Sequence, residues 1–407
     1  MNIKNLQLSI PEGGAYIIVS PENRRWLTGF ASSDGYLLIT KNDAVFLVDS
    51  RYIEAAQKQV TACESVLLTS LTEQLPKLIE KMGVTALYTE AQRLSVADFE
   101  KIKKISPCLC IAGDADSAID TLRRIKTQEE KEKILKAQAI AEKAFDRILD
   151  FIKIGVTERE VALELDFFML KNGAEAVSFD TIAVSGKNSS MPHGVPSDKK
   201  IEKGDFITLD FGAVVDGYHS DMTRTVAVGE VSSKQAEVYE TVLSAQLKSL
   251  ESLRAGVKCF DADAAARDII KNAGYGAYFG HGTGHGIGYY LCVHEGPQSI
   301  RYQYNPQPLL PGMVTSNEPG LYREGMHGIR HENIVLCKEA GTSEFGDWLE
   351  FETLTCCHFD TSAVVPEILG PEALAWLNTY NERVYRTLAP HLPAEVAAWL
   401  RAKTMPL

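Results

Sequence analysis

The sequence predicts an α+β chain of two domains, a smaller N-terminal α/β unit over residues 1–120 and a larger mixed unit over 121–407. Three observations predict it. At 407 residues the chain is too long for one ordinary core. Strand-like and helix-like stretches alternate up to about residue 104, as in a small α/β domain. After CIAGDADSAIDTLRRIK the character changes to long amphipathic helices followed by strand-like arms that carry acids and histidines.

In the first unit, 15–20 (AYIIVS), 36–40 (YLLIT) and 44–48 (AVFLV) read as buried strands, the last two separated by a Lys41-Asn42-Asp43 turn. ENRRWLTGF lies between the first and second without an assigned element. Helices are expected over 53–60, 72–82 and 95–104, with a strand over 85–89. No nucleophile–base pair or ligand cluster is recognisable in this unit, so its expected role is to shape a cleft or an oligomer contact.

The second unit opens on Thr127 and Glu130, spaced as a capping box, and its first helix is expected to run to about Ile152. Thr157 and Glu160 form a second box. Val161, Leu165 and Phe168 mark the apolar face of that helix, and Asn172-Gly173 ends it. A Gly, Asn, Ser and Pro-rich loop then carries His193, which on its own reads as a solvated turn residue. The Glu202–Asp205 turn leads into FITLDFGA.

The stretch LDFGAVVDGYHSDMTRT reads as two extended arms closing on Asp216-Gly217, a pair suited to the positive φ angles of a tight hairpin. A two-residue turn sets Asp210 opposite Thr223 and Asp221 opposite Gly212. The carboxylates of Asp210 and Asp221 then become diagonal neighbours on one face, roughly 7–8 Å apart at the backbone. Like charges that close call for a cation between them. Two exposed hairpin aspartates are the alternative.

Helices over 234–254 and 261–273 follow. In GHGTGHGIGYYLCVHEGP, glycine at 280, 282, 284, 286 and 288 makes a helix costly, about 1 kcal/mol each. An extended backbone is expected, on which His281 and His285 still share a face, and His294 lies on the β-like run YYLCVHE. Glu318 and Glu332 sit in strand-like settings. Pro319 stops ladder pairing after Glu318, and Arg330 shares a face with Glu332 if that strand is regular.

Asp210, Asp221, His285, Glu318 and Glu332 together offer four carboxylates and one imidazole. Four converging negative charges need compensation of about +4, which two divalent cations supply. This oxygen-rich, single-nitrogen set suits Mn²⁺, Co²⁺, Fe²⁺ or Zn²⁺ better than an ion that selects thiolates. Two such ions can share a hydroxide that attacks an acyl bond at neutral pH.

Composition bounds the partners. With 45% apolar and 24% charged residues the chain is an ordinary globular sequence, and a formal charge of −12 argues against nucleic acid or an anionic membrane as the main partner. The start MNIKNLQLSIPEGG lacks a secretory layout, and no apolar run approaches the ~20 residues of a membrane span. Eight scattered cysteines without a CxxC pair point to reduced thiols and a cytoplasmic protein.

In the order DFGAxxxGYxSDxTRT, HGTGHGIG, VHEGP, NEPG and GIRxEN, residues 120–360 resemble the metallopeptidase family with the creatinase or "pita-bread" fold. That family includes methionine aminopeptidase, prolidase and Xaa-Pro aminopeptidase (aminopeptidase P). SGKNSSMPH resembles the proline-specific members, and VHEGPQSIR with the tail ETLTCCHFDTSAVVPEILGPEALAWLN resembles the cytosolic type of Xaa-Pro aminopeptidase. That type commonly has two related domains before the catalytic one, where this chain has room for one of creatinase N-terminal type. The resemblance implies that Asp210 and Asp221 bind one ion and that His285, Glu318 and Glu332 complete the pair, with Asp221 and Glu332 bridging. Glu318 would be the base. His193 and His294 would contact the substrate and its scissile carbonyl, His281 would line the proline pocket, and Arg330 and Tyr322 would support the site and substrate.

The expected activity is removal of an N-terminal residue that precedes proline, in a homodimer. Prolidase action on Xaa-Pro dipeptides is the alternative. A binding module of the same fold is the reading of another class, disfavoured because the ligand set is complete.

Overall fold

The structure is a computed structural model that describes residues 2–106, 110–252, 257–290, 292–344 and 346–407, the side chains of 110–114 excepted. The chain forms two compact units, Met1–Arg123 and Arg124–Leu407.

The first unit is built on a six-stranded mixed sheet in the order Glu64–Leu67, Ala44–Val48, Tyr36–Thr40, Gly14–Ile18, Ala86–Thr89, Cys110–Asp114. Ala15, Ile17, Leu38, Leu47 and Leu87 on its strands pack with Leu71 and Leu75 of helix Leu71–Lys81 and Ile102 of helix Val96–Ile105. The ENRRWLTGF stretch is a helix, Pro21–Thr28. Proline in its first turn and Gly29 at φ 75° after its end are the two signals that place it.

The second unit repeats one order twice: a long helix, a shorter helix, then antiparallel strands. Helices Gln128–Phe151 and Glu158–Lys171 open the first half, each on a capping box with both reciprocal hydrogen bonds made. Ser233–Glu251, also opened by a capping box, and Cys259–Asn272 open the second half. The last two residues of the helix expected over 234–254 lie outside the described residues.

Strand Phe206–Phe211 is buried along its whole length between the helix pairs. Ile207, Leu209 and Phe211 pack on Phe145, Ile148 and Leu165 of the first pair. Phe206 packs on Tyr239 and Val242 of the second. Alternation therefore turns Thr208 and Asp210 away from the first helix pair. The five-stranded sheet His294–Ile300, Gly284–Ile287, Val314–Asn317, Asn333–Ser343, Gly346–Thr353 supplies the facing wall. Helices Pro371–Leu388 and Ala394–Lys403 close a further core through Leu377, Val384 and Leu400 against Leu243 and Phe359. Among the described residues no helix is long and apolar enough to cross a membrane.

Candidate metal centre

The hairpin turns at Asp216 (φ 49°) and Gly217 (φ 81°). Val215 pairs with Tyr218 and Asp210 with Thr223, the register that a two-residue turn dictates. The arms do not form one ladder. A Cβ on Gly212 would stand 2.0 Å from the Ser220 carbonyl oxygen, and at this close crossing the inner and outer arms part into different sheets. Asp210 is thus near the end of Phe206–Phe211, and Asp221 directly precedes Met222–Ala227.

His285 lies on strand Gly284–Ile287, extended as its glycines predict. A Cβ on Gly284 would meet the Ser316 carbonyl oxygen at 2.1 Å, so only glycine lets the two strands approach this closely. The His285 backbone N–H donates to Ser316 Oγ (3.0 Å), and Nδ1 lies 3.0 Å from the Gly286 carbonyl. That contact leaves Nε2 facing Asp221 Oδ2 at 3.4 Å and Glu318 Oε1 at 3.5 Å. Glu318 follows strand Val314–Asn317, and Pro319 ends the pairing there.

Glu332 departs from expectation. It sits in the link between strands His327–Arg330 and Asn333–Ser343 rather than on a strand. Its N–H donates to the Thr223 carbonyl (3.1 Å), and its Oε2 accepts from Thr223 Oγ1 (2.7 Å). Asp221, His285 and Glu332 each offer one ligand atom within 4.8 Å of the others.

Because the strand is interrupted, Arg330 does not stand over Glu332. Its Nη2 donates to Asp210 Oδ2 (2.5 Å), its Nη1 to Tyr322 OH (2.6 Å) and its Nε to Thr223 Oγ1 (3.1 Å). Tyr322 OH also meets His281 Nε2 at 2.9 Å. A cavity of about 810 Å³ opens above this floor, large enough for a short peptide. Asp210, Asp221, His285, Glu318, Glu332, His193, His281, His294 and Arg330 all line it. Tyr322 stands behind the wall, bonded to Arg330 and His281. The His285 and His294 rings meet edge-on, 4.1 Å between centroids.

Under the centre lies Arg224, fully buried. Its guanidinium donates to the carbonyls of Glu332 (2.6 Å), Thr223 (2.9 Å), Cys357 (2.7 Å) and His358 (3.0 Å). The Phe359 ring covers its face at 4.2 Å. The backbone at Glu332 is therefore tied both to the hairpin and to the C-terminal segment.

The electrostatics favour a cation. Burial, with the charges of Asp210 and Glu318 adding, pushes the Asp221 carboxyl up to about 7 against its bond to His285. Burial raises Glu318 and Glu332 as well. Burial alone would lower His285, but the bond to Asp221 and the charges of Glu318 and Asp221 outweigh it and carry the ring up to about 9. Burial and Arg330 lower His281 to about 4, and burial and His285 lower His294 to about 4. Asp210 Oδ1 and Glu332 Oε1 are buried with no hydrogen-bond partner among the described residues. Two orphaned carboxylate oxygens in a four-acid pocket fit a divalent ion pair, since burial without a partner is costly.

Sequence reasoning missed Thr223, which joins Arg330 to Glu332, and Ser316, which fixes His285. Ser316 lies two residues before Glu318, a spacing that could have flagged it. Arg301 and Tyr302, also on the cavity wall, carried no recognisable signal.

Comparisons with known proteins match most of the chain to one family. Residues 132–339 match the model of metallopeptidase family M24, residues 347–407 that of the C-terminal region of peptidase M24, and residues 12–125 that of the creatinase/prolidase N-terminal domain. An Xaa-Pro dipeptidase of Pyrococcus furiosus is 38% identical over 333 residues, 80% of this chain and 90% of that protein. The solved structure of an Xaa-Pro dipeptidase from Bacillus anthracis is similar at TM-score 0.78 and 38% identity, covering 88% of this chain and 98% of the other. An X-Pro aminopeptidase from Thermotoga maritima superposes at TM-score 0.76 and 37% identity, covering 84% of this chain and 95% of the other.

Proposed function

The chain belongs to metallopeptidase family M24, and from that premise we propose that it hydrolyses the bond joining an N-terminal residue to proline in short peptides, with two divalent ions held by Asp210, Asp221, His285, Glu318 and Glu332. The observation that carries this reading is the convergence of Asp221, His285 and Glu332 within 4.8 Å, beside orphaned oxygens of Asp210 and Glu332. Sequence reasoning put the aminopeptidase first. The dipeptidase now leads, because relatives named Xaa-Pro dipeptidase are 38% identical over most of the chain.

When bound, the ions, Mn²⁺ foremost with Co²⁺ or Zn²⁺ as alternatives, supply the positive charge that makes water a nucleophile near neutral pH. The protein's own groups do the rest. Glu318, its carboxyl raised by burial, takes the proton of the attacking water on an Oε atom and returns it to the departing prolyl nitrogen. His294, held neutral, offers a ring N–H to the scissile carbonyl oxygen without adding charge. His193 contacts the peptide from the opposite loop. His281, fixed by Tyr322, and the apolar Phe179 and Val293 shape the proline pocket. A prolyl imide has no N–H, so a pocket without an acceptor there favours it. Arg330 holds Asp210 and Tyr322 in place.

The test measures metal content together with hydrolysis of alanyl-proline and alanyl-prolyl-alanine. The expected result is metal-dependent cleavage of the dipeptide, lost on chelation and recovered with Mn²⁺. Equal turnover by a metal-free preparation would falsify the reading. The second reading, an aminopeptidase, is favoured by the likeness to the Thermotoga maritima structure, and equal cleavage of the tripeptide would select it.

A further inference from the structure

We infer that Arg267, locked to Asp263, is a positioning residue that fixes His281 in the proline pocket; this rests on the Xaa-Pro peptidase reading. His281 stands in segment 279–283, which has no regular structure, and Gly280 and Gly282 flank it. Two glycines around one ring leave its backbone with the most conformational freedom to lose, so a fixed position there calls for restraint from outside the segment. Helix Cys259–Asn272, anchored in the core by Ala266 and Ile270, supplies that restraint. Arg267 Nη1 donates to the Phe279 carbonyl and Nη2 to the His281 carbonyl, both at 2.8 Å.

Asp263 sets the guanidinium. It lies one helical turn before Arg267 and is fully buried. Its Oδ2 accepts from Arg267 Nε (2.8 Å) and its Oδ1 from Nη2 (3.0 Å), a two-point ion pair. The same Oδ1 accepts from the Thr283 N–H (3.2 Å) and from Thr283 Oγ1 (2.8 Å). The pair therefore grips the segment at residues 279, 281 and 283. Phe279 and Tyr302 add ring contacts, their centroids 4.1 and 4.9 Å from the guanidinium carbon. Phe279 in turn meets the His281 ring edge-on at 5.1 Å. His281 is thus held at its backbone by Arg267 and at Nε2 by Tyr322, and it faces the cavity with Tyr302. Arg267 and Asp263 are not on the cavity wall, so they reach the substrate only through the residues they hold. A lysine keeps a charge beside Asp263 but lacks the planar fork that spans a carboxylate and two carbonyls at once.

The experiment compares metal-loaded wild type, Arg267→Lys and Arg267→Ala on alanyl-proline and on alanyl-pipecolate, whose ring is one methylene larger. Arg267→Lys folds and keeps the metal content of wild type, while its KM for alanyl-proline rises about tenfold, the scale of one charge-assisted hydrogen bond, and kcat stays within about twofold. Its preference for the proline ring over the pipecolate ring falls toward one. Arg267→Ala loses more. Guanidinium at about 10 mM, far below the molar range that unfolds proteins, restores part of that KM, whereas the same concentration of sodium chloride does not. If Arg267→Ala does not fold, Arg267→Lys decides. Wild-type KM and wild-type ring preference in folded, metal-loaded Arg267→Lys overturn the role. A loss confined to kcat, metal content or melting overturns it as well, because the Thr283 carbonyl accepts the Glu318 N–H (2.7 Å) and a merely structural pair would act there. Either result leaves the peptidase reading standing. That reading falls, and the role of Arg267 with it, if metal-loaded wild type cleaves no Xaa-Pro peptide at all.

Discussion

Asp221 concentrates the charge problem of the pocket in one side chain. Its carboxyl titrates near 7 in the fold, well above an unfolded aspartate, so ionisation withdraws stability as pH rises through that range. Asp221→Asn therefore stabilises the chelated protein at pH above 7, by on the order of 1–2 kcal/mol, while abolishing hydrolysis and lowering metal content. A chelated variant that melts below chelated wild type would contradict this. His358 poses the opposite case. Buried against Phe145 and Trp399, it is pushed down to about 3 by burial and by Arg224, and Asp146, 3.9 Å away, is raised to about 7 by its own burial. The unfolded ring binds a proton below about 6.5 and the folded ring does not, so His358 costs stability as pH falls below that point. His358→Phe thus gains about 2 kcal/mol relative to wild type between pH 6.5 and 5, read by urea unfolding at both pH values. If His358 and Asp146 formed an ion pair, the variant would lose ground instead.

At the scale of elements, close backbone approach decides which strands can carry the ligands. Gly284→Ala forces a Cβ onto the Ser316 carbonyl at 2.1 Å. The expected cost is about 2 kcal/mol or more, with weaker metal binding because His285 moves with its strand. Wild-type metal affinity and melting in this variant would refute the account. The same locality explains what could be read beforehand. The capping boxes of Thr127 and Thr157 and the turn at Asp216-Gly217 are specified by residues within four positions of each other, so they were legible. Strand Glu64–Leu67 has only four residues and little alternation, and the hairpin and helices beyond residue 333 were not assigned. In the pocket, the acids and His285 stood out as a converging charged set, whereas His193 read on its own as a solvated turn residue and His193, His281 and His294 gained their roles from the family resemblance. Thr223, Ser316 and Arg301 did not stand out, since their positions depend on register between strands far apart in sequence. Tyr322 was expected at the substrate, but the strand pair Gly320–Arg323 and His327–Arg330 sets its hydroxyl between His281 and Arg330.

For the whole molecule, the proposed ligands Asp210, Asp221, His285, Glu318 and Glu332 all lie in the unit Arg124–Leu407. Calorimetry should then show metal raising the transition of that unit and not the transition of Met1–Arg123. Each tenfold excess of free ion over its Kd adds about 1.4 kcal/mol. Equal shifts in both transitions, or in neither, would reject this assignment. Arg224 extends the dependence to the far end of the chain. Among the described residues its hydrogen-bond shell holds no carboxylate, only the carbonyls of Thr223, Glu332, Cys357 and His358, the Asn333 amide oxygen and the Tyr380 hydroxyl. An engineer who ended the chain before Cys357 would strip away the acceptors of Cys357, His358 and Tyr380 together. The guanidinium would then seek water, drag the Glu332 peptide with it and leave the enzyme unable to retain its ions, although every ligand side chain was still present.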